Sequence, residues 1–216
     1  MGGCCDPRGC DRFFGSRFAR RTARRYRRRG LDKVAGRMVG FLERSGVDGA
    51  TVLELGGGVG AIQIELLERG AARAVNLELS PSYDREAGLL LRERGFEGRV
   101  ERRLHDLAAA PGAIERADVV VLHRVVCCYP DYERLLRAAA AHAGRLLVFS
   151  YPRRNGALRL VVAAQNAAFR IMRSEFRTFA HPPSAMLAVL RSDGLEPAFA
   201  HRGAVWQVTG AQRPAA

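Results

Sequence analysis

A glycine-rich segment between a hydrophobic run and a helical pattern restricts the fold of this chain more than any other feature. The run is "VLEL", residues 52–55, and glycines follow at positions 56, 57, 58 and 60. Glycine permits a tight turn from a buried strand into a helix, and it lets a ligand approach the amides at the helix N-terminus. The segment therefore predicts an α/β fold with a nucleotide-type ligand at the end of the first strand.

The rest of the chain alternates between short apolar runs and helical patterns. Strands are predicted at 51–55, 73–79, 99–106, 117–125, 144–152, 195–203 and 204–212, and helices at 31–42, 60–70, 81–94, 131–143, 156–173 and 183–193. Alternation of this kind indicates a mostly parallel sheet with helices on both faces. The last two strands have no helix between them, so they are expected to form an antiparallel hairpin.

The glycines alone satisfy two fingerprints that imply different ligands. One is the dinucleotide pattern Gly56-x-Gly58-x-x-Ala61, and the other is Glu54-x-Gly56-x-Gly58-x-Gly60. A carboxylate at the end of the strand would repel a pyrophosphate but would attract a cationic amine. Glu54, the even glycine spacing and the closing hairpin together favour the second fingerprint.

With these residues the sequence resembles the class I (Rossmann-fold) methyltransferases that depend on S-adenosylmethionine. "LELGGGVG" is similar to their first motif, E/D-x-G-x-G-x-G, and the resemblance covers residues 31–211. It implies a seven-stranded sheet in the order 3-2-1-4-5-7-6 with strand 7 antiparallel. The nearest patterns are small-molecule enzymes of the magnesium-protoporphyrin and quinone O-methyltransferase type.

The resemblance also assigns residues to the cofactor S-adenosylmethionine. The first motif would hold the methionine part, the acid that ends the second strand would bind the ribose, and the segment after the third strand would lie near the adenine. The residues so assigned are Glu54, Gly56, Gly57, Gly58, Gly60, Glu78, Leu79, His105, Asp106, Leu107 and His123.

Candidates for chemistry and for acceptor binding follow the fourth and fifth strands. His123 is a possible general base because its pKa lies near working pH, although a packed histidine or a cofactor contact explains it equally. Arg124 or Arg153 could hold a substrate carboxylate, or could be a surface cation. The complete set adds Tyr129 as a second catalytic candidate, and Arg24, Tyr26, Cys127, Cys128 and Tyr151 as acceptor contacts.

The first thirty residues are rich in arginine and cysteine. They carry about +8 of the formal net charge of +13. We interpret residues 1–30 as an arm or lid helix on a methyltransferase domain at 31–216. A small anionic acceptor would be attracted by this charge, whereas an RNA methyltransferase is the alternative, because arginines interleaved with Phe13, Phe14, Phe18 and Tyr26 suit RNA.

The five cysteines suggest a further alternative and a compartment. Cys4, Cys5 and Cys10 lie in the arm, and with the pair after strand four they could bind trivalent arsenic as a methyl acceptor. No C-x-x-C pair is present, so no metal site is expected. The odd number of cysteines suggests reduced thiols, and the sequence has neither a signal-like start nor a long apolar run, so we expect a cytoplasmic protein. The chain has one lysine and many arginines, and this bias suggests a bacterial source.

The expected function is methylation of a small molecule, most simply O-methylation. A non-catalytic cofactor-binding protein is the remaining alternative.

Overall fold

The computed structural model describes residues 13–214, in which seven strands form one sheet flanked by helices. The strands are β1 Thr51–Leu55, β2 Arg73–Glu78, β3 Val100–Leu104, β4 Ala117–Leu122, β5 Ala143–Pro152, β6 Glu196–Arg202 and β7 Trp206–Gln212. The helices are α1 Ser16–Arg29, α2 Lys33–Arg44, α3 Ala61–Glu68, α4 Asp84–Arg94, α5 Tyr132–His142, α6 Gly156–Ile171 and α7 Pro183–Ser192.

The strand order of the sheet is β3-β2-β1-β4-β5-β7-β6. Strands β1 to β5 pair in parallel, and β7 runs antiparallel to both β5 and β6. The predicted fold class, strand order and final hairpin are therefore confirmed.

Two apolar layers cover the two faces of the sheet. Because side chains alternate along a strand, Leu53 of β1 enters one layer and its neighbour Val52 enters the other. The first layer contains Leu136 of α5 and Leu190 of α7, and the second contains Met38 of α2 and further residues of α3. This double burial explains why β4 reads as an unbroken apolar run.

Some element boundaries differ from the predictions for local steric reasons. The predicted helix at 81–94 begins as a 3₁₀ turn over Pro81–Tyr83 and becomes α-helical at Asp84. The fourth strand ends at Leu122 and does not reach residue 125, because Arg124 adopts a left-handed φ of 59° that breaks the extended backbone. In contrast, Asp131 caps α5 as expected, since its carboxylate accepts a hydrogen bond from the Arg134 amide at 3.0 Å.

Helix α1 packs on the domain through few and mostly small side chains. Ala19, Ala23 and Tyr26 are its buried residues, and they join the cluster that contains Leu90 and Leu91 of α4. The opposite side of α1 carries arginines. Of the helices in residues 13–214, none is long and apolar enough to cross a membrane.

Candidate active site

A cavity of about 510 Å³ lies at the carboxyl ends of β1, β2 and β4. This is the edge where parallel sheets of this kind bind ligands, because the strand order changes direction there. The floor comes from the glycine segment after β1 and from the loops after β2, β3 and β4, while side chains of α1 line the opposite side. A volume in this range suits a ligand of nucleoside size together with part of a second molecule.

The glycine segment 56–60 forms a tight loop with no space for side chains. A Cβ atom on Gly57 would lie 2.1 Å from Asn76 Nδ2 and 2.8 Å from Glu54 Cδ. Gly60 has a φ of 81° at the N-cap of α3, a backbone conformation that side chains disfavour. The loop therefore needs its glycines for close packing beneath it as well as for the approach of a ligand above it.

Glu54 is a buried carboxyl group at the end of β1. It is 2% exposed, and its Oε2 accepts a hydrogen bond from the Gln63 amide at 3.3 Å. Burial raises the pKa of Glu54 to about 8, and neither the Gln63 amide nor the charge of Arg102 compensates. Because Glu54 also lines the cavity, a cation placed there would stabilise its ionised form.

Glu78 ends β2 and connects that strand to the glycine loop. Its Oε2 accepts a hydrogen bond from the Gly58 amide at 2.8 Å, and its Oε1 accepts one from the Leu79 amide at 2.8 Å and one from the Ser80 amide at 3.2 Å. Burial raises the pKa of Glu78, and these three hydrogen bonds oppose that shift. The carboxylate is thus fixed at the rim of the cavity, in the place where a carboxylate that binds ribose hydroxyls is expected.

The segments after β3 and β4 meet across the cavity. The hydroxyl of Tyr129 donates to Asp106, at 3.2 Å from Oδ1 and 3.1 Å from Oδ2. Asp106 also accepts from the Ala108 amide at 3.0 Å, and Leu107 is buried beside it. His105 Nε2 lies 2.8 Å from the carbonyl oxygen of Ala110.

A second polar cluster forms beside the loop after β4. Asp32 Oδ2 lies 2.8 Å from Arg124 Nη2 and 3.6 Å from His123 Nε2. On the other side, Ser150 Oγ accepts from the Arg124 amide at 2.9 Å and lies 3.1 Å from His123 Nδ1. Burial lowers the pKa of His123, and the nearby Asp32 partly opposes this shift. Both ring nitrogens of His123 therefore face protein partners.

The α1 side of the cavity combines aromatic and cationic groups. Phe14, Phe18, Arg21 and Arg25 line it, and Tyr26 joins them with its hydroxyl 3.1 Å from Glu65 Oε1. Burial raises the pKa of Tyr26, so this hydroxyl stays protonated. Three carboxyl groups of the cavity thus lie at the strand ends, whereas two of its guanidinium groups lie on α1. The fourth carboxylate, Asp32, forms an ion pair with Arg124.

The structure brings most of the predicted residues together, with four exceptions among the acceptor candidates. Tyr151 is buried on the sheet with its hydroxyl 3.2 Å from Thr209 Oγ1, and it does not line the cavity. Arg153 is exposed away from the cavity, and Arg24 faces an outer groove of α1. Cys127 is buried behind Cys128, and only Cys128 of this pair lines the cavity.

Several cavity residues were not predicted from the sequence. Asp32 was missed, although its position before α2 is that of an N-cap, and its Oδ1 accepts from the Val34 and Ala35 amides at 2.9 and 3.0 Å. Tyr83 was also missed, and a Cβ on Gly58 would lie 3.3 Å from its ring. Trp206 does not line the cavity itself, but its ring lies 4.9 Å from the guanidinium of the cavity residue Arg124, and no local motif indicates that contact.

Neither a metal centre nor a thiolate trio is found in residues 13–214. No group of three or more His, Cys, Asp or Glu side chains is close enough there to hold an ion. The arsenic hypothesis depends on Cys4, Cys5 and Cys10, which lie outside the described residues.

The sequence matches the family model described as a methyltransferase domain over residues 19–205. Because the match spans most of the chain, the protein belongs to this methyltransferase domain family. The predicted class, a class I methyltransferase that depends on S-adenosylmethionine, is confirmed by the family together with the fold. A comparison with curated proteins found no match.

Solved structures share the fold at low sequence identity. The magnesium protoporphyrin IX methyltransferase of Synechocystis PCC 6803, with bound SAH, has a TM-score of 0.70 at 19% identity and covers 84% of this chain and 83% of its own. An O-methyltransferase family 2 protein of Planctomyces limnophilus, in complex with apigenin, has a TM-score of 0.67 at 18% identity, over 91% and 62%. An O-methyltransferase family protein of Burkholderia thailandensis has a TM-score of 0.65 at 21% identity, over 86% and 58%.

Proposed function

We propose that this protein transfers a methyl group from S-adenosylmethionine to an oxygen atom of a small anionic acceptor. The observation that carries the proposal is the division of charge in the cavity. Glu54, Glu78 and Asp106 lie at the strand ends, whereas Arg21 and Arg25 reach the cavity from α1. A cationic cofactor and an anionic acceptor would each meet the opposite charge.

The residues at the strand ends fit the cofactor. The desolvated Glu54 lacks a cationic partner of the kind that the ammonium group provides, and Glu78 and Asp106 line the same cavity. In this proposal Glu54 faces that ammonium group, Glu78 the ribose hydroxyls and Asp106 the adenine. When bound, S-adenosylmethionine supplies an electrophilic methyl group on a sulfonium leaving group.

The protein's own contribution is positioning rather than proton transfer. Ser150 can donate to His123 Nδ1 because it already accepts from the Arg124 amide, and the Nε2 proton then faces Asp32. In this arrangement His123 has no free lone pair for an incoming hydroxyl, and the hydroxyl of Tyr129 donates to Asp106. An acceptor that is already ionised needs no base, so alignment and exclusion of water are sufficient.

In this proposal residues 1–30 are the lid segment, and α1 is the part of this segment that covers the cavity. Phe18 of α1 and Phe14 just before it line the acceptor side and would shield the reacting atoms from water. The neighbouring thiols of Cys127 and Cys128, with sulfur atoms 3.6 Å apart, fit a reducing, cytoplasmic compartment.

Transfer of label from methyl-labelled S-adenosylmethionine to a panel of carboxylated acceptors and their neutral esters tests the proposal. We expect Arg21→Gln and Arg25→Gln to raise KM for the carboxylated acceptor about tenfold or more, as the loss of a charge-assisted contact would. Arg20→Gln is the matched control, since Arg20 lines the outer groove of α1 but not the cavity. Equal effects of Arg21→Gln and Arg20→Gln, or a preference for the neutral esters, would contradict an anionic acceptor.

A further inference from the structure

The outer face of α6 is an apolar helix face that nothing in residues 13–214 covers. Phe169 is the only buried residue of this helix. At 3.6 residues per turn, Leu160 and Ile171 project to the side opposite Phe169, and they are 73% and 84% exposed. The other positions near the centre of that side are alanines and glycine, and Val161, Arg159 and Arg170 lie at its edges, all exposed. An exposed helix face with an apolar centre and basic edges marks an interaction surface.

The charge around this face is mainly positive, with Glu175 as a nearby acidic residue. Residues 152–174 contain five arginines and no acidic residue. Helix α1 adds seven arginines between Arg17 and Arg29 that line a groove of about 760 Å³. Within residues 13–214 none of these seven forms an ion pair, whereas Arg27 of the same helix pairs with Glu93 at 2.7 Å.

An aromatic cluster joins the two helices. The ring of Phe13, just before α1, lies 5.4 Å from the ring of Phe169 near the end of α6, and it stacks on Phe176 at 4.4 Å. The start of the arginine helix and the end of the apolar helix are therefore neighbours. We call the arginine groove of α1 and the outer face of α6 the α1–α6 surface.

We propose that the α1–α6 surface binds the surface of an anionic lipid bilayer. Aliphatic side chains such as Leu160 and Ile171 would enter the boundary between headgroups and acyl chains, and the guanidinium groups would meet lipid phosphates. Attachment of this kind is peripheral and needs no spanning helix. The proposal goes beyond the proposed function, because it depends neither on the cofactor nor on the methyl acceptor.

The same observations disfavour the two other occupants of this surface. A second copy of the chain would bring its own arginines against these, with a formal charge of +13 on each copy. An RNA would use the arginines, but it would leave the apolar face of α6 without a role, since base stacking needs aromatic side chains. Only a partner with both negative charge and an apolar interior matches both parts of the surface.

Flotation of the full chain with lipid vesicles tests the proposal. We expect co-flotation with phosphatidylcholine vesicles that contain phosphatidylglycerol, and little with phosphatidylcholine alone. Leu160→Glu should weaken binding about tenfold or more, the loss expected when one leucine no longer enters the interface. Leu104→Glu is the matched control, because Leu104 is a 57% exposed leucine on β3, and it should leave binding unchanged. Cofactor affinity, measured on each variant, reports that the domain is folded.

A second variant tests the electrostatic part. Replacing Arg17, Arg20 and Arg28 by glutamine should reduce binding by about fivefold per arginine and should weaken its salt dependence. Equal binding to both kinds of vesicle, or equal losses in Leu160→Glu and Leu104→Glu, would overturn the proposal. Retention of a homopolymeric RNA without vesicle binding would overturn it in favour of nucleic acid. A dimer in sedimentation that Leu160→Glu dissociates, again without vesicle binding, would overturn it in favour of self-association.

Discussion

Replacement of Glu54 by glutamine tests whether a buried carboxyl group couples cofactor binding to pH. Burial raises the pKa of this group to about 8, so in the free protein it holds its proton at neutral pH. In the proposed complex the cationic ammonium group favours the carboxylate, and the proton must leave. Cofactor binding is therefore expected to release a proton to the buffer near neutral pH, at pH values between the lower pKa of the complex and about 8.

The size of the effect follows from the position of the pKa. Below about pH 8, each further unit costs up to tenfold in apparent affinity, and since half of the groups are ionised at pH 8, binding at pH 6 should be up to about fiftyfold weaker than at pH 8. The free energy of unfolding should also fall as pH rises from 4.5 to about 8, because the unfolded chain loses the proton that the folded chain retains. The upper bound of that loss is about 5 kcal/mol.

Titration calorimetry in two buffers of different ionisation enthalpy measures the released proton directly, and denaturant unfolding at the same pH values measures the stability. Glu54→Gln should show neither dependence and should bind more weakly than the wild type at pH 8. Glu115→Gln should behave as the wild type, since the Glu115 side chain is 91% exposed. Constant affinity of the wild-type protein between pH 6 and 8, with no proton released, would refute the reasoning.

Three further substitutions probe other parts of the site. Gly57→Ala places a Cβ against buried side chains and should weaken cofactor affinity more than tenfold in the same titration, whereas Gly98→Ala, with no atom within 4 Å, should not. Asp32→Asn keeps a helix-capping oxygen but loses the ion pair with Arg124 and the charged acceptor that faces His123. It should lower the free energy of unfolding in urea by about 1–3 kcal/mol at pH 7. The deficit should shrink below about pH 4, because Asp32 of the unfolded wild-type chain takes up a proton there, whereas, despite burial, the contacts with His123 and Arg124 lower the pKa of Asp32 in the folded protein. Tyr129→Phe removes the hydroxyl that donates to Asp106 and should weaken cofactor binding about fivefold, while unchanged affinity would contradict a role for that contact.

The fold and the strand-end side of the cavity could be predicted because their signals are local. A strand, its glycine turn and the following helix occupy one continuous segment, and Glu78 and Asp106 each follow a strand whose carboxyl end must reach the same edge. No long-range contact has to be known for these assignments.

The proposed acceptor side was harder to predict because it depends on side-chain direction and on contacts between distant segments. Successive residues of a strand face opposite sides of the sheet, so Ser150 reaches His123 while Tyr151 turns to Thr209. Similarly, the contact between Asp32 and Arg124 joins segments that are far apart in the chain. A single sequence contains no signal for either arrangement.

The small buried side of α1 has a consequence for the rate at which the enzyme exchanges its ligands. Two alanines and one tyrosine anchor a helix that lines one side of the cavity. Detaching it exposes far less apolar surface than unfolding the domain, so this opening requires only a fraction of the global unfolding free energy. Amide hydrogens of α1 should therefore exchange with deuterium long before those of β4, and the opening rate of α1 would limit product release if chemistry is fast.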